Sequence, residues 1–161
     1  MALTSAQRTT LKAAILADPV LAPLTSGPTT DLVALQIALN ADKSPAVKAW
    51  VESVSPETTD EACNWAQFDT IVAGKRDSWA FFLQRTRNFS RAKVRSWVTD
   101  VWGAATAGSN AEAILLVAIE NASVAESIIG GTTRTTGTVS GIARAFLGEL
   151  SLQDVRDTLE I

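Results

Sequence analysis

The sequence predicts a mainly α-helical fold, a helical bundle with a small β-hairpin near the C-terminus. Three observations carry that expectation. Ser, Thr and Pro start signals recur ahead of runs with apolar residues at i, i+3, i+4 and i+7. Apolar residues make up 47% of the 161 and charged residues 19%, enough to bury one substantial core. After Gly131 the composition turns abruptly to Thr and Gly.

Thr4-Ser5-Ala6-Gln7 reads as a capping box opening a helix that carries Leu11, Ala14 and Ile15, closed by Asp18-Pro19. A turn-rich connection with Pro23, Gly27 and Pro28 leads to a second helix near Thr30, burying Leu32, Leu35 and Leu39. Ser44-Pro45 predicts a further helix start, with Val47, Trp50, Val51 and Val54 on one face. Ser55-Pro56-Glu57 repeats the signal, and Glu57, Asp60 and Glu61 complement the helix dipole. The stripe continues through Trp65, Phe68 and Val72, and Gly74 reads as a stop or kink. Trp79, Phe82, Leu83 and Thr86 resume helical spacing.

Val94, Trp97, Val98, Val101 and Trp102 form the most regular amphipathic pattern of the chain. Ser109-Asn110-Ala111-Glu112 opens a long helix burying Ile114, Leu115, Ala118, Ala122 and Ala125, ended by Gly130-Gly131. Residues 133–139 and 142–150 are expected to pair as two strands, the alternative being a mobile loop. Ser151 caps a last helix with Leu152, Val155 and Leu159. The expected organisation is thus a single domain, made of a helical bundle over residues 1–131, a hairpin or extended assembly element over 132–150, and a short helix over 151–161.

Charge is distributed unevenly. Residues 75–95 hold seven basic residues (Lys75, Arg76, Arg85, Arg87, Arg91, Lys93 and Arg95) and one acid, Asp77, for a balance of +6. The remaining seven bases and sixteen acids leave −9 elsewhere. This stretch is the candidate interaction site, and three readings stay open. It is a solvated helix face, a contact for an acidic protein surface including another copy of the chain, or a contact for nucleic acid with Trp79, Phe81, Phe82 and Phe89 as stacking platforms, although the helical spacing of these aromatics favours core packing.

Catalytic, metal and cofactor sites are not expected. The chain has no His, no Tyr and one Cys, Cys63, which reads as a buried small hydrophobe. Ser90 and Lys93 match an S-x-x-K pattern, yet neither S-D-N nor K-T-G accompanies it, and Ser90 is better explained as an N-cap. Glu57, Asp60 and Glu61 suit a first helical turn without any metal. The apolar runs are too short for a bilayer span, so a soluble protein without membrane contact is expected.

Two segments resemble a known group of proteins. Leu3-Thr4-Ser5-Ala6-Gln7, Leu11-Lys12-Ala13-Ala14-Ile15 and Asp18-Pro19-Val20-Leu21 are similar to the opening of small virion proteins of tailed bacteriophages. Gly148-Glu149-Leu150-Ser151-Leu152-Gln153-Asp154-Val155, after a Thr/Gly-rich run, resembles their closing "G-x-L-S-x-Q-D-V" phrase. Trp50 and residues 62–65 match the same layout loosely. The resemblance implies a structural protein of the virion, assembled in the bacterial host cytoplasm, of the head–tail connector or adaptor type. Its partners would be other copies of itself in a ring, portal and tail proteins, and packaged DNA. A tail terminator or minor tail protein, and a nucleic-acid-binding module using residues 75–95, are the alternatives. No catalytic residue carries over.

Overall fold

Helix starts fall where short hydroxyl side chains can satisfy the first free amides. In the computed structural model, which describes residues 3–144, 146 and 149–161, Thr4, Ser55, Ser109, Ser123 and Ser151 each accept a hydrogen bond from the amide three residues on. At Thr4, Ser123 and Ser151 the reciprocal bond completes a capping box. Along the chain the α-helices are α1 (Ser5–Ala17), α2 (Thr29–Asn40), α3 (Pro56–Glu61), α4 (Ala73–Phe82), α5 (Ala92–Trp102), α6 (Asn110–Leu116), α7 (Val124–Ile129) and α8 (Leu152–Leu159). The strands are β1 (Lys48–Trp50), β2 (Ile119–Asn121), β3 (Thr133–Thr136) and β4 (Val139–Ala143). None of the described helices is long and apolar enough to cross a membrane.

The chain groups into two units, each built from segments distant in sequence. The first comprises Met1–Val47, Asn121–Thr132 and Arg144–Ile161; the second comprises Lys48–Glu120 and Thr133–Ala143. The segments 1–131 and 132–150 drawn from the sequence are therefore each divided between units.

In the first unit, α1, α2, α7 and α8 enclose Leu11, Ile15, Leu35, Leu39, Ala125 and Val155, all with no exposed surface. Asn40 at the end of α2 holds the segment before α8. Its Nδ2 donates to the Leu150 carbonyl at 2.9 Å, and its Oδ1 accepts from the Leu150 amide at 2.8 Å. One side-chain amide thus satisfies both backbone groups of a buried residue, as a neighbouring strand would.

The second unit has an aromatic core. Trp79 and Phe82 of α4 stack at 4.7 Å, and Trp102 of α5 meets Trp79 edge-on at 5.4 Å. Trp50, Phe89, Val98, Ile114 and Leu115 complete it. A four-stranded sheet runs in the order β2–β1–β4–β3, with β1 and β4 parallel and β3 and β4 antiparallel.

The fold is mainly helical with a small sheet, and four elements differ from expectation. The sheet is more than a hairpin, because two further strands join β3 and β4. β4 is an inner strand, with Val139 in the core and Ile142 buried, so this part of the presumed assembly element packs within its unit. The first expected strand ends at Thr136, and Val139 opens the second, because the turn forms at Gly137, where φ is +60°. The second strand ends at Ala143; residues 145, 147 and 148 of its predicted range lie outside the described residues.

The helix expected after Ser44-Pro45 is strand β1. Its spacing fitted a helix, but Trp50 within the strand is aromatic and the flanking Val47 and Val51 are β-branched, and these suit extended, covered backbone better. The long helix after Ser109 is broken into α6, β2 and α7, with the Ser123–Glu126 capping box restarting it. The stripe through Trp65 and Val72 is not a buried helix face. A 3-10 turn occupies Trp65–Thr70, leaving Trp65 44% and Val72 66% exposed. Gly74 lies inside the first turn of α4 rather than ending a helix.

Candidate interaction surface

The seven basic residues of 75–95 do not form one face. Arg95 is buried, drawn inward by α5 beside the core residue Val98. Its Nη1 donates to the carbonyls of Phe89 at 2.6 Å and Ser90 at 2.9 Å, and its Nε to Thr136 Oγ1 at 3.0 Å. The guanidinium also lies 4.7 Å over the Trp50 ring. Arg95 is thus a rivet joining the turn before α5 to β1 and β3. Burial holds its pKa below the usual arginine value, with nearby Arg134 acting in the same direction; arginine still stays charged.

Arg87 is half withdrawn as well. Its Nε donates to the Phe82 carbonyl and its Nη2 to the Phe81 carbonyl, both at 2.8 Å, closing the C-terminal end of α4. The same guanidinium lies 4.8 Å from the Phe82 ring and 5.0 Å from Trp97. Desolvation lowers its pKa first, and Arg85 adds to the effect. Arg76 pairs with Asp69 at 3.6 Å.

Lys75, Arg85, Arg91 and Lys93 remain exposed, and none has an ion pair or side-chain hydrogen bond among the described residues. The structure adds one cation that the sequence did not single out. Arg134 on β3 donates through Nη1 to the Ser90 carbonyl at 2.9 Å, the acceptor that Arg95 also uses. Arg134 is therefore held beside Arg91. The signal for it was absent from linear order, because 43 residues separate Arg91 and Arg134 in the chain.

Of the stacking candidates, Trp79, Phe82 and Phe89 are buried in the core, and Phe81 is 48% exposed. Ser90 is not the N-cap of α5, since Arg91 holds that position without a side-chain cap. The Ser90 hydroxyl instead donates to Asn88 Oδ1. Cys63 is buried, and its thiol donates to the Thr59 carbonyl at 3.2 Å. Burial pushes its pKa up to about 12, reinforced by Asp60 and opposed by Trp79, so it is a poor nucleophile at neutral pH. Among the described residues no group of three His, Cys, Asp or Glu side chains is placed to hold a metal.

The first unit contains a polar cleft of about 200 Å³, lined by Asn40, Asp42, Asn121, Ser123, Glu126, Arg144 and Glu149. Glu126 is buried there, 3.1 Å from Arg144 Nε, and accepts the Ser123 amide at 3.0 Å. Burial raises its pKa, while the hydrogen bonds from Ser123 pull it back. These contacts serve the α7 cap and join it to the segment after β4, which is a structural role.

No family model, curated protein or solved structure matches the chain. The surface must therefore be interpreted from its own chemistry. Four uncompensated cations, with Arg134 tethered next to one of them, Arg91, suit a partner with carboxylates or phosphates.

Proposed function

We propose that this chain is a non-enzymatic structural protein of a tailed-bacteriophage virion, a head–tail connector or adaptor whose copies form a ring joining portal to tail. The observation that carries the reading is the set of exposed cations Lys75, Arg85, Arg91 and Lys93, which lack ion-pair partners among the described residues. Exposed charges left uncompensated within a chain steer and orient association with an oppositely charged surface. The first unit offers such a surface, with five basic against eight acidic residues. A contact from the basic surface of one copy to the acidic unit of the next is heterologous, the kind that closes rings. The resemblance of residues 3–21 and 148–155 to small virion proteins supports the same reading.

The test is light scattering and electron microscopy of the purified protein, alone and with portal rings, for the wild type and an Arg85→Glu/Arg91→Glu variant. Arg87 is left intact because it closes α4. The expected result is loss of oligomer and portal binding with an unchanged helical circular dichroism spectrum. Undiminished assembly by the variant would reduce the surface to a solvated face. A monomer that binds single-stranded DNA with a steep salt dependence would replace the connector with a nucleic-acid-binding module.

A further inference from the structure

β3 is an edge strand, and its composition makes it an unusual one. The hairpin joins Thr136 to Val139 through Gly137 and Thr138, and pairs Arg134 with Gly141 and Thr135 with Ser140. Antiparallel pairs alternate between hydrogen-bonded and non-bonded positions. Counting from the turn, Thr136 and Arg134 bond to β4, whereas Thr135 and Thr133 turn their N–H and C=O groups outward. Thr133, Arg134 and Thr135 are all exposed, and among the described residues no turn, loop or cap hydrogen bond takes up the backbone groups of Thr133 or Thr135. Among the described residues the edge is open.

Edge strands in soluble proteins are usually blunted by proline, bulges or covering loops, and β3 has only its shortness and one charge. That charge is not isolated. Arg134 is fixed to the Ser90 carbonyl, which places it beside Arg91, the residue that starts α5, with Lys93 two residues further along. A row of unsatisfied backbone groups thus runs next to a cluster of exposed cations. The Thr133 and Thr135 side chains are small, uncharged and exposed, so they put no charge in the way of an incoming strand.

We propose that β3 is a docking edge for an extended acidic segment of another polypeptide, which adds as a further strand and places carboxylates on Arg134, Arg91 and Lys93. Main-chain bonds to Thr133 and Thr135 would supply affinity and register, and the cations would select acidic sequence. The inference rests on reading the basic surface as a protein contact, and it specifies the partner's shape as well as its charge. A folded acidic face or a phosphate backbone would satisfy the cations without using the edge.

The experiment titrates the full chain with a short capped peptide alternating Glu and Thr, with a Lys/Thr peptide and oligothymidylate as controls. Affinity and amide hydrogen exchange are both followed. Binding of the Glu/Thr peptide should slow exchange at Thr133 and Thr135 specifically. Arg134→Glu should weaken binding at least about tenfold. Thr135→Pro, which removes an outward amide from an edge position that tolerates proline, should abolish the protection at Thr133 while the protein stays folded. No binding, binding without protection of these amides, or preference for oligothymidylate would each overturn the proposal. Self-assembly of the same variants is measured without peptide, so a failed docking edge with intact ring formation leaves the connector reading standing.

Discussion

At the scale of single residues, burial decides what each cation and the lone thiol can do. Arg95 and Arg91 lie four positions apart on one helix and its cap, yet one holds the fold and the other faces solvent. Arg95→Leu should destabilise the protein by about 2–3 kcal/mol, because the Phe89 carbonyl loses a charge-assisted partner in a buried site. Arg91→Ala should change stability by no more than about 0.5 kcal/mol. Urea unfolding of the two variants checks the contrast, and equal effects would refute the assignment of Arg95 as a structural residue. Cys63 gives a pH signature. Its pKa in the folded protein is raised from 9.0 to about 12, so its contribution to stability is fully present below pH 9 and is lost as pH rises toward 12. The chain has no Tyr, so phenols do not obscure this window. Thermal melts between these pH values should show a smaller alkaline loss for Cys63→Ala than for the wild type.

Among the elements, two glycines show how position decides the value of the same residue. Gly137 in the β3–β4 turn has φ +60°, and a Cβ there would meet the Ala105 carbonyl oxygen at 2.1 Å. The turn is anchored at that carbonyl by the Thr138 amide at 3.0 Å. Gly137→Ala should therefore cost at least about 1–3 kcal/mol. Gly74 lies in α4 with open space where a Cβ would go. Gly74→Ala should stabilise by about 0.5–1 kcal/mol through the helix and the unfolded chain. Opposite shifts in melting temperature are the expected outcome, and a loss for both would contradict the placement of Gly74. The glycine that reads as punctuation in the sequence is thus a replaceable helix residue, because α4 begins after the Trp65–Thr70 turn and is closed at its other end by Arg87.

At the scale of the whole molecule, the charge asymmetry changes meaning once the chain is folded. The +6 stretch belongs to a unit that also contains Glu52, Glu57, Asp60, Glu61, Asp69, Asp77, Asp100, Glu112 and Glu120, giving nine bases and nine acids. The first unit carries the net −3, from five bases and eight acids. On the proposed reading, association would therefore depend on individual exposed cations rather than on a basic domain. Such contacts weaken as the Debye length falls from about 10 Å at 0.1 M salt to about 3 Å at 1 M. Oligomer mass measured by light scattering should drop across that range, and the drop should be much smaller in Arg85→Glu/Arg91→Glu. Salt-independent assembly would point instead to exposed apolar residues such as Val72 and Ile37.

Much of the fold was legible in the chain. The starts at Thr4, Ser55, Ser109 and Ser151 and the core positions Leu11, Ile15, Leu35, Leu39, Val98 and Val155 all follow from local chemistry, whereas the β3–β4 turn falls at Gly137 and Thr138, ahead of its expected place. Capping and amphipathic spacing act over three or four residues, so they can be read in linear order. Trp50 could not be assigned in the same way, because its spacing fitted a helix and only the pairing of β1 with β4, some 90 residues away, made it a strand. The candidate surface divided likewise. Sequence located the basic residues, but tertiary structure buried Arg95, committed Arg87 to α4, and brought Arg134 to the group. A side chain's charge is fixed by its type, whereas its exposure and its neighbours are fixed only when distant segments meet.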